Sequence, residues 1–111
     1  MKRIKMKNKF YVMVTTTSSS DAEADKIARI LIEKKLAACV QVLPIKSYYI
    51  WKDKLNIENE NLLIIKCKRA DFADIEKCIK ENHSYEVPEI VMAPIEKGSK
   101  EYLDWIKAVT K

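Results

Sequence analysis

Between Ala37 and Lys68 the chain carries two long extended runs joined by the polar break Lys52-Asp53-Lys54. Pro44 interrupts the first run after Leu43; lacking a ladder donor, it belongs at a sheet edge or a bulge, and extension resumes at once. Ile45, Ser47, Tyr49 and Trp51 then alternate with Lys46, Tyr48 and Ile50, the period of a strand. In the second run, Leu62, Ile64 and Lys66 oppose Leu63, Ile65 and Cys67 across Glu60 to Lys68. Asp53 is the residue of the break that best tolerates a left-handed backbone. Paired, the runs make a hairpin with arms of roughly 14 residues, or roughly 45 Å at about 3.3 Å per residue, where an ordinary strand spans about 17 to 20 Å.

A chain of 111 residues makes one domain, large enough for its own core and too small to cover such a ribbon. The distal half of the ribbon carries Tyr48, Tyr49, Ile50 and Trp51, an apolar patch that invites aggregation if left bare. The hairpin therefore predicts pairing or packing with other copies of the chain. A polar loop between two short strands is the alternative, and it accounts poorly for the aromatic density.

The remaining segments supply the rest of a fold. Phe10 to Thr16 alternates with both faces largely apolar or β-forming, as a central strand covered on at least one side does. Ser20-Asp21-Ala22-Glu23 reads as a capping box, with Ser20 accepting from the Glu23 N–H and the Glu23 carboxylate reaching back. The helix it opens buries Ala24, Ile27, Ala28 and Leu31 and ends at Glu33, Lys34 and Lys35. Asp71 is placed to cap a second helix, with Phe72, Ile75, Cys78 and Ile79 as its buried stripe up to Asn82. Ile90 to Ile95 is a short or edge strand bounded by Pro88 and Pro94. After Gly98, Ser99 caps a third helix, with Tyr102, Leu103, Ile106 and Val109 on one face and Trp105 beside them. The order βαββαβ followed by a helix predicts an α+β fold: a ferredoxin-like sandwich with a long β2-β3 hairpin and an extra C-terminal helix.

Composition bounds the function. Lys2, Arg3, Lys5, Lys7 and Lys9 carry five positive charges without an acid, and the other 16 basic residues are matched by 16 acidic ones, so the net +5 belongs to the tail. Residues 1–9 are read as a disordered basic arm and 10–111 as one domain; neither a nucleic-acid face nor a membrane partner follows from such a balance. The apolar run Phe10 to Val14 is too short for a signal peptide, and no run approaches the ~18 apolar residues of a membrane span. Cys39, Cys67 and Cys78 are odd in number and widely spaced, which fits reduced thiols and a cytoplasmic protein better than a disulfide scaffold.

Chemistry, if any, is concentrated in His83-Ser84-Tyr85-Glu86-Val87-Pro88-Glu89, which holds the only histidine of the chain. The bland alternative makes His83 a cap over the last carbonyls of a helix that Pro88 helps to stop. No nucleophile, base and orienting group occur together, so no enzyme is expected.

Four stretches carry a resemblance: Lys35-Leu36-Ala37-Ala38-Cys39-Val40, Ser47-x-Tyr49-x-Trp51, His83-x-Tyr85-Glu86-Val87-Pro88-Glu89-Ile90, and Glu101-Tyr102-Leu103-x-Trp105. Together, in this order, they resemble the CutA divalent-cation-tolerance family from about Phe10 to Val109. The resemblance implies a homotrimer of ferredoxin-like subunits whose long hairpins pair across subunits, tolerating or sensing divalent metals, copper above all. It implies metal ligands at His83 and Glu89; the cysteine that completes the site in copper-binding relatives aligns with Thr16. A hydroxyl serves Cu(I) poorly, whereas imidazole and carboxylate suit Cu(II) or Zn, with Cu(II) the tighter. Asp53 and Ser84 stand where relatives have Gly and Pro; the second departure leaves the loop around His83 less rigid.

The rival reading is a signalling or anchoring trimer, like the PII-type proteins, that binds a small ligand in clefts between subunits lined by Thr16, Trp51, Tyr85 and Glu86. No Gly-rich phosphate loop supports it in the form of a nucleotide site. RNA binding would need stacking aromatics on a central strand, and Glu60 to Lys68 has none.

Overall fold

The computed structural model describes residues 10–111; the arm expected over residues 1–9 lies outside the described residues. The chain runs β1 (Tyr11–Ser18), α1 (Asp21–Glu33), β2 (Ala37–Trp51), β3 (Lys54–Lys68), a short 3-10 turn (Arg69–Asp71), α2 (Phe72–Asn82), β4 (Val91–Pro94) and α3 (Lys100–Val109). The four strands form one antiparallel sheet in the order β2-β3-β1-β4. This is the ferredoxin-like arrangement with a long hairpin and an added C-terminal helix. Among the described residues no helix is long and apolar enough to cross a membrane.

Strand alternation divides the sheet into two unequal faces. Val12 and Val14 of β1 and Leu63, Ile65 and Cys67 of β3 point to one side, where they are buried against Ala24, Ile27 and Leu31 of α1 and Ile75, Cys78 and Ile79 of α2. The other side carries Met13, Thr15, Leu62 and Ile64, which stay half-buried, and Val91, which is exposed. There α3 packs against β2 and β3, with the Tyr102 ring 5.8 Å from Lys66 Nζ. Of the stripe expected on α3 only Ile106 is buried; Leu103 is half-buried, and Tyr102, Trp105 and Val109 remain exposed. Among the described residues, α3 thus covers only part of this sheet face, and part of its own apolar face stays exposed.

The hairpin is longer than the sheet that holds it. Its ladder runs unbroken from Val40↔Ile65 to Trp51↔Lys54, so β3 begins directly after the turn. Pro44 sits on β2, an edge strand, as its missing N–H requires; the bulge lies instead between Ala37 and Cys39. Lys52 and Asp53 both take left-handed conformations, at φ 54 and 64, the two-residue turn whose twist matches that of the strands. Protrusion of the ribbon raises the radius of gyration to 15.2 Å and the longest dimension to 46 Å, whereas a compact chain of this length has a radius near ~13 Å. Val42, Tyr48, Ile50, Trp51, Leu55 and Ile57 are all exposed along it.

Helix ends follow local rules with two departures. Ser20 Oγ accepts from Glu23 N at 3.1 Å and Ser99 Oγ from Tyr102 N at 3.2 Å, as expected. After α1, Leu36 N donates to Leu31 O and Lys35 N to Ile32 O, both at 3.0 Å, a Schellman closure that forces Lys35 to φ 58. The first departure is at Asp71: it occupies the N-cap of α2 but makes no side-chain capping bond. The preceding 3-10 turn gives it a near-helical backbone, and its carboxylate lies 3.9 Å from Lys68 Nζ instead. The second departure, at Glu23, builds the site.

Candidate functional site

Glu23 does not turn back to close a capping box on Ser20. Its Oε2 accepts from Ser18 Oγ at 3.2 Å and its Oε1 from the Ser84 N–H at 3.1 Å, so a residue in the first turn of α1 holds the loop that follows α2. His83 completes this tie. It sits at the C-cap of α2, yet its ring leaves the helix carbonyls and reaches Thr17 O, 2.5 Å from Nε2. A carbonyl only accepts, so Nε2 carries the proton and Nδ1 is free to take the Tyr85 N–H at 3.0 Å. Glu23 Oε2 lies 3.4 Å from that Nδ1, and the His83 side chain is wholly buried. The helix carbonyl is capped by Asn82 instead, whose Nδ2 donates to Cys78 O at 2.8 Å.

Anchored there, the loop forms one wall of a cleft of about 870 Å³, the hairpin forming the other. Trp51, Tyr85, Glu86 and Glu89 line it together, as does Thr17. Thr16 does not. The pleat turns it with Val12 and Val14 toward the helices, where it is fully buried with Oγ1 unpartnered. Its neighbour Thr15 faces the other way and donates to Glu89 Oε2 at 3.0 Å. His83 lies behind the cleft wall rather than on it.

Besides Trp51 the hairpin brings Tyr49, Glu58 and Glu60 to the cleft, none of which the sequence marked as a site residue. The signal was present, because Glu58 and Glu60 are two apart on one strand and so share a face. Tyr85 Oη donates to Glu60 Oε2 at 2.5 Å and lies 3.5 Å from Glu58 Oε1. Burial, then the hydrogen bond and charge of Glu60 and the charge of Glu58, push the Tyr85 phenol well above its ordinary value. Tyr85 is therefore a neutral donor that clamps the loop to the hairpin. A smaller cavity of about 420 Å³ beside Lys34, Cys78 and Lys111 contains none of the expected residues.

The donor set fits a metal ion poorly within one chain. Both His83 nitrogens are committed to backbone groups, and Glu89 already accepts from Thr15. Among the described residues no three His, Cys, Asp or Glu side chains gather closely enough to hold an ion. Donors lining the cleft are carboxylate, phenol, hydroxyl and amide oxygens.

The model of the CutA1 divalent ion tolerance protein family matches residues 12–109. The chain belongs to that family. A divalent-cation tolerance protein CutA of Archaeoglobus fulgidus is 47% identical over 90 residues, which cover 81% of this chain and 88% of that protein. The CutA of Thermus thermophilus is 39% identical over 99 residues, 88% of this chain and 96% of that one. A solved structure described as a periplasmic divalent cation tolerance protein CutA from Archaeoglobus fulgidus superposes with a TM-score of 0.89 at 42% identity, covering 91% of this chain and 99% of the other. The CutA1 likeness thus spans the hairpin, the anchored loop and both walls of the cleft.

Proposed function

We propose that this member of the CutA1 family works as a homotrimer in divalent-cation tolerance, without a catalytic cycle. The observation that carries the reading is the uncovered apolar surface of one subunit. Among the described residues, Val91 on the sheet face opposite α1 and α2, Tyr102, Trp105 and Val109 of α3, and Tyr48, Ile50, Trp51, Leu55 and Ile57 of the hairpin are exposed apolar side chains, and monomers rarely leave patches of that extent in water. Other copies of the chain are the partner proposed for them. Residues 10–111 carry balanced charge, so neither nucleic acid nor membrane is proposed as a partner. All three cysteines are free, which agrees with a cytoplasmic setting.

A cation held in the trimer would take donors from more than one subunit, Glu89 among them. Copper(II) is the first candidate because it binds nitrogen and oxygen donors most tightly in its series; His83 would contribute only by releasing Thr17 O and the Tyr85 N–H. Two measurements test the reading. Light scattering at micromolar concentration is expected to give three times the mass of one chain, and a single-chain mass refutes it. Calorimetric titration with Cu(II) and Zn(II) is expected to show binding that Glu89→Gln weakens, and equal affinity in that variant removes Glu89 from the site.

A second reading, a trimer that takes a small molecule, is favoured by the cleft itself. Its volume of about 870 Å³ lies within the roughly 300 to 1,000 Å³ usual for such sites.

A further inference from the structure

We infer that the cleft between the hairpin and residues 84–89 binds an organic cation bearing two or more amine or guanidinium groups. The inference rests on the second reading above and names the chemistry of its ligand.

Charge comes first. Glu58, Glu60, Glu86 and Glu89 line the cleft, and among the described residues no Lys, Arg or His does. Residues 10–111 are balanced in charge, so four carboxylates on one cleft make a local negative field, which repels nucleotides and other phosphates and draws cations in. Spacing comes next. A single metal ion needs several donors within about 2.0 to 2.6 Å of one point. Here no three acidic, His or Cys side chains converge among the described residues; the carboxylates are distributed over both walls. Distributed carboxylates match a ligand whose positive charges are themselves distributed along a chain. Third is the apolar part of the lining. Rings of Tyr49, Trp51 and Tyr85 share the cleft with those acids. A partly desolvated ammonium or guanidinium is attracted to the face of such a ring, indole best of all. Hydrogen bonding sorts the acids further: Glu60 is engaged by Tyr85 and Glu89 by Thr15. Glu58 has a hydrogen bond with Tyr49 and a longer contact, 3.5 Å, with Tyr85, and Glu86 is the acid left most open to the ligand, with Glu58 next.

The probe is spermidine, titrated calorimetrically into the full chain at low and at physiological salt, with ATP in parallel and the mass of each sample read by light scattering. Saturable spermidine binding is expected, with no ATP binding. Trp51→Leu should weaken it about tenfold through loss of the ring contact, and Glu58→Gln with Glu86→Gln should weaken it further and flatten the salt dependence. Absence of saturable heat, preference for ATP, or unchanged affinity in both variants overturns the inference. Three-chain mass without spermidine binding overturns it alone; a single-chain mass overturns the assembly reading, and because the cleft lies within one chain the spermidine titration then decides this inference by itself.

Discussion

Ile50 and Leu55 face each other across the tip of the hairpin, 69% and 64% exposed. If the tip is sheltered by neighbouring copies, replacing the pair with Ile50→Lys and Leu55→Glu should dissociate the assembly while sparing the subunit. Complete burial of such a side chain contributes about 1.5 to 3 kcal/mol, so the two-thirds still exposed stands for about 1 to 2 kcal/mol each, and about 2 to 4 kcal/mol per hairpin. Three hairpins sum to about 6 to 12 kcal/mol, or roughly four to nine decades in the assembly constant. Desolvating the introduced charges adds to this cost. Within the subunit the substitution is close to neutral: both positions are already in water, and opposite charges on directly paired strand positions attract by roughly 0.2 to 1 kcal/mol. Sedimentation velocity across concentration, with circular dichroism on the same samples, separates the two effects. A folded monomer is the expected product. An assembly of unchanged size and midpoint would refute the argument, as would a variant that is monomeric only because it has unfolded.

Three further outcomes follow from the geometry. Glu23→Ala removes a carboxylate that accepts from Ser18 Oγ and Ser84 N; urea unfolding should register a loss of about 1.5 to 3 kcal/mol for charge-assisted bonds, and a loss below about 0.5 kcal/mol would show that the anchor is incidental. Asp53→Gly relieves a left-handed conformation at φ 64 that costs an L-residue roughly 1 to 2 kcal/mol, less the added freedom of glycine when unfolded, so thermal unfolding should report a net gain of about 0.5 to 1 kcal/mol. Burial, then the charge of Asp71, pushes the Cys67 thiol from 9.0 up to about 12. Because the folded state holds this proton more tightly, its stabilising contribution is complete below about pH 9 and is lost as pH rises toward 12. A thiol reagent at pH 8 should accordingly modify Cys39 and spare Cys67 until the protein unfolds, and prompt modification of Cys67 in folded protein would contradict its burial.

Much of this architecture is local and therefore legible in the residues. The Ser20 and Ser99 caps, the alternation of Tyr48 to Trp51 and the apolar stripes of α1 and α2 each follow from periodicity or capping within a few positions. The site is less legible because its contacts cross the chain. Glu23 meets a backbone N–H 61 positions away and Tyr85 meets Glu60 25 positions away; no spacing rule links them. His83 illustrates the difference, since its position after a helix fits a cap while its ring serves β1. At Thr15 and Thr16 a single step along the strand decides which side chain faces Glu89, and strand phase was not fixed until the register with β3 was known. Asp71 fails as a cap because the turn before it is 3-10, which composition does not announce.

The central claim is that the distal ribbon is sheltered by other copies of the chain. Hydrogen exchange read over residues 45–57 tests it most directly, since an edge ribbon in water opens readily whereas one packed between subunits does not. Amides there should exchange as slowly as those of β1 in concentrated protein and speed up on dilution below the assembly midpoint; rapid exchange that is independent of concentration would contradict the account.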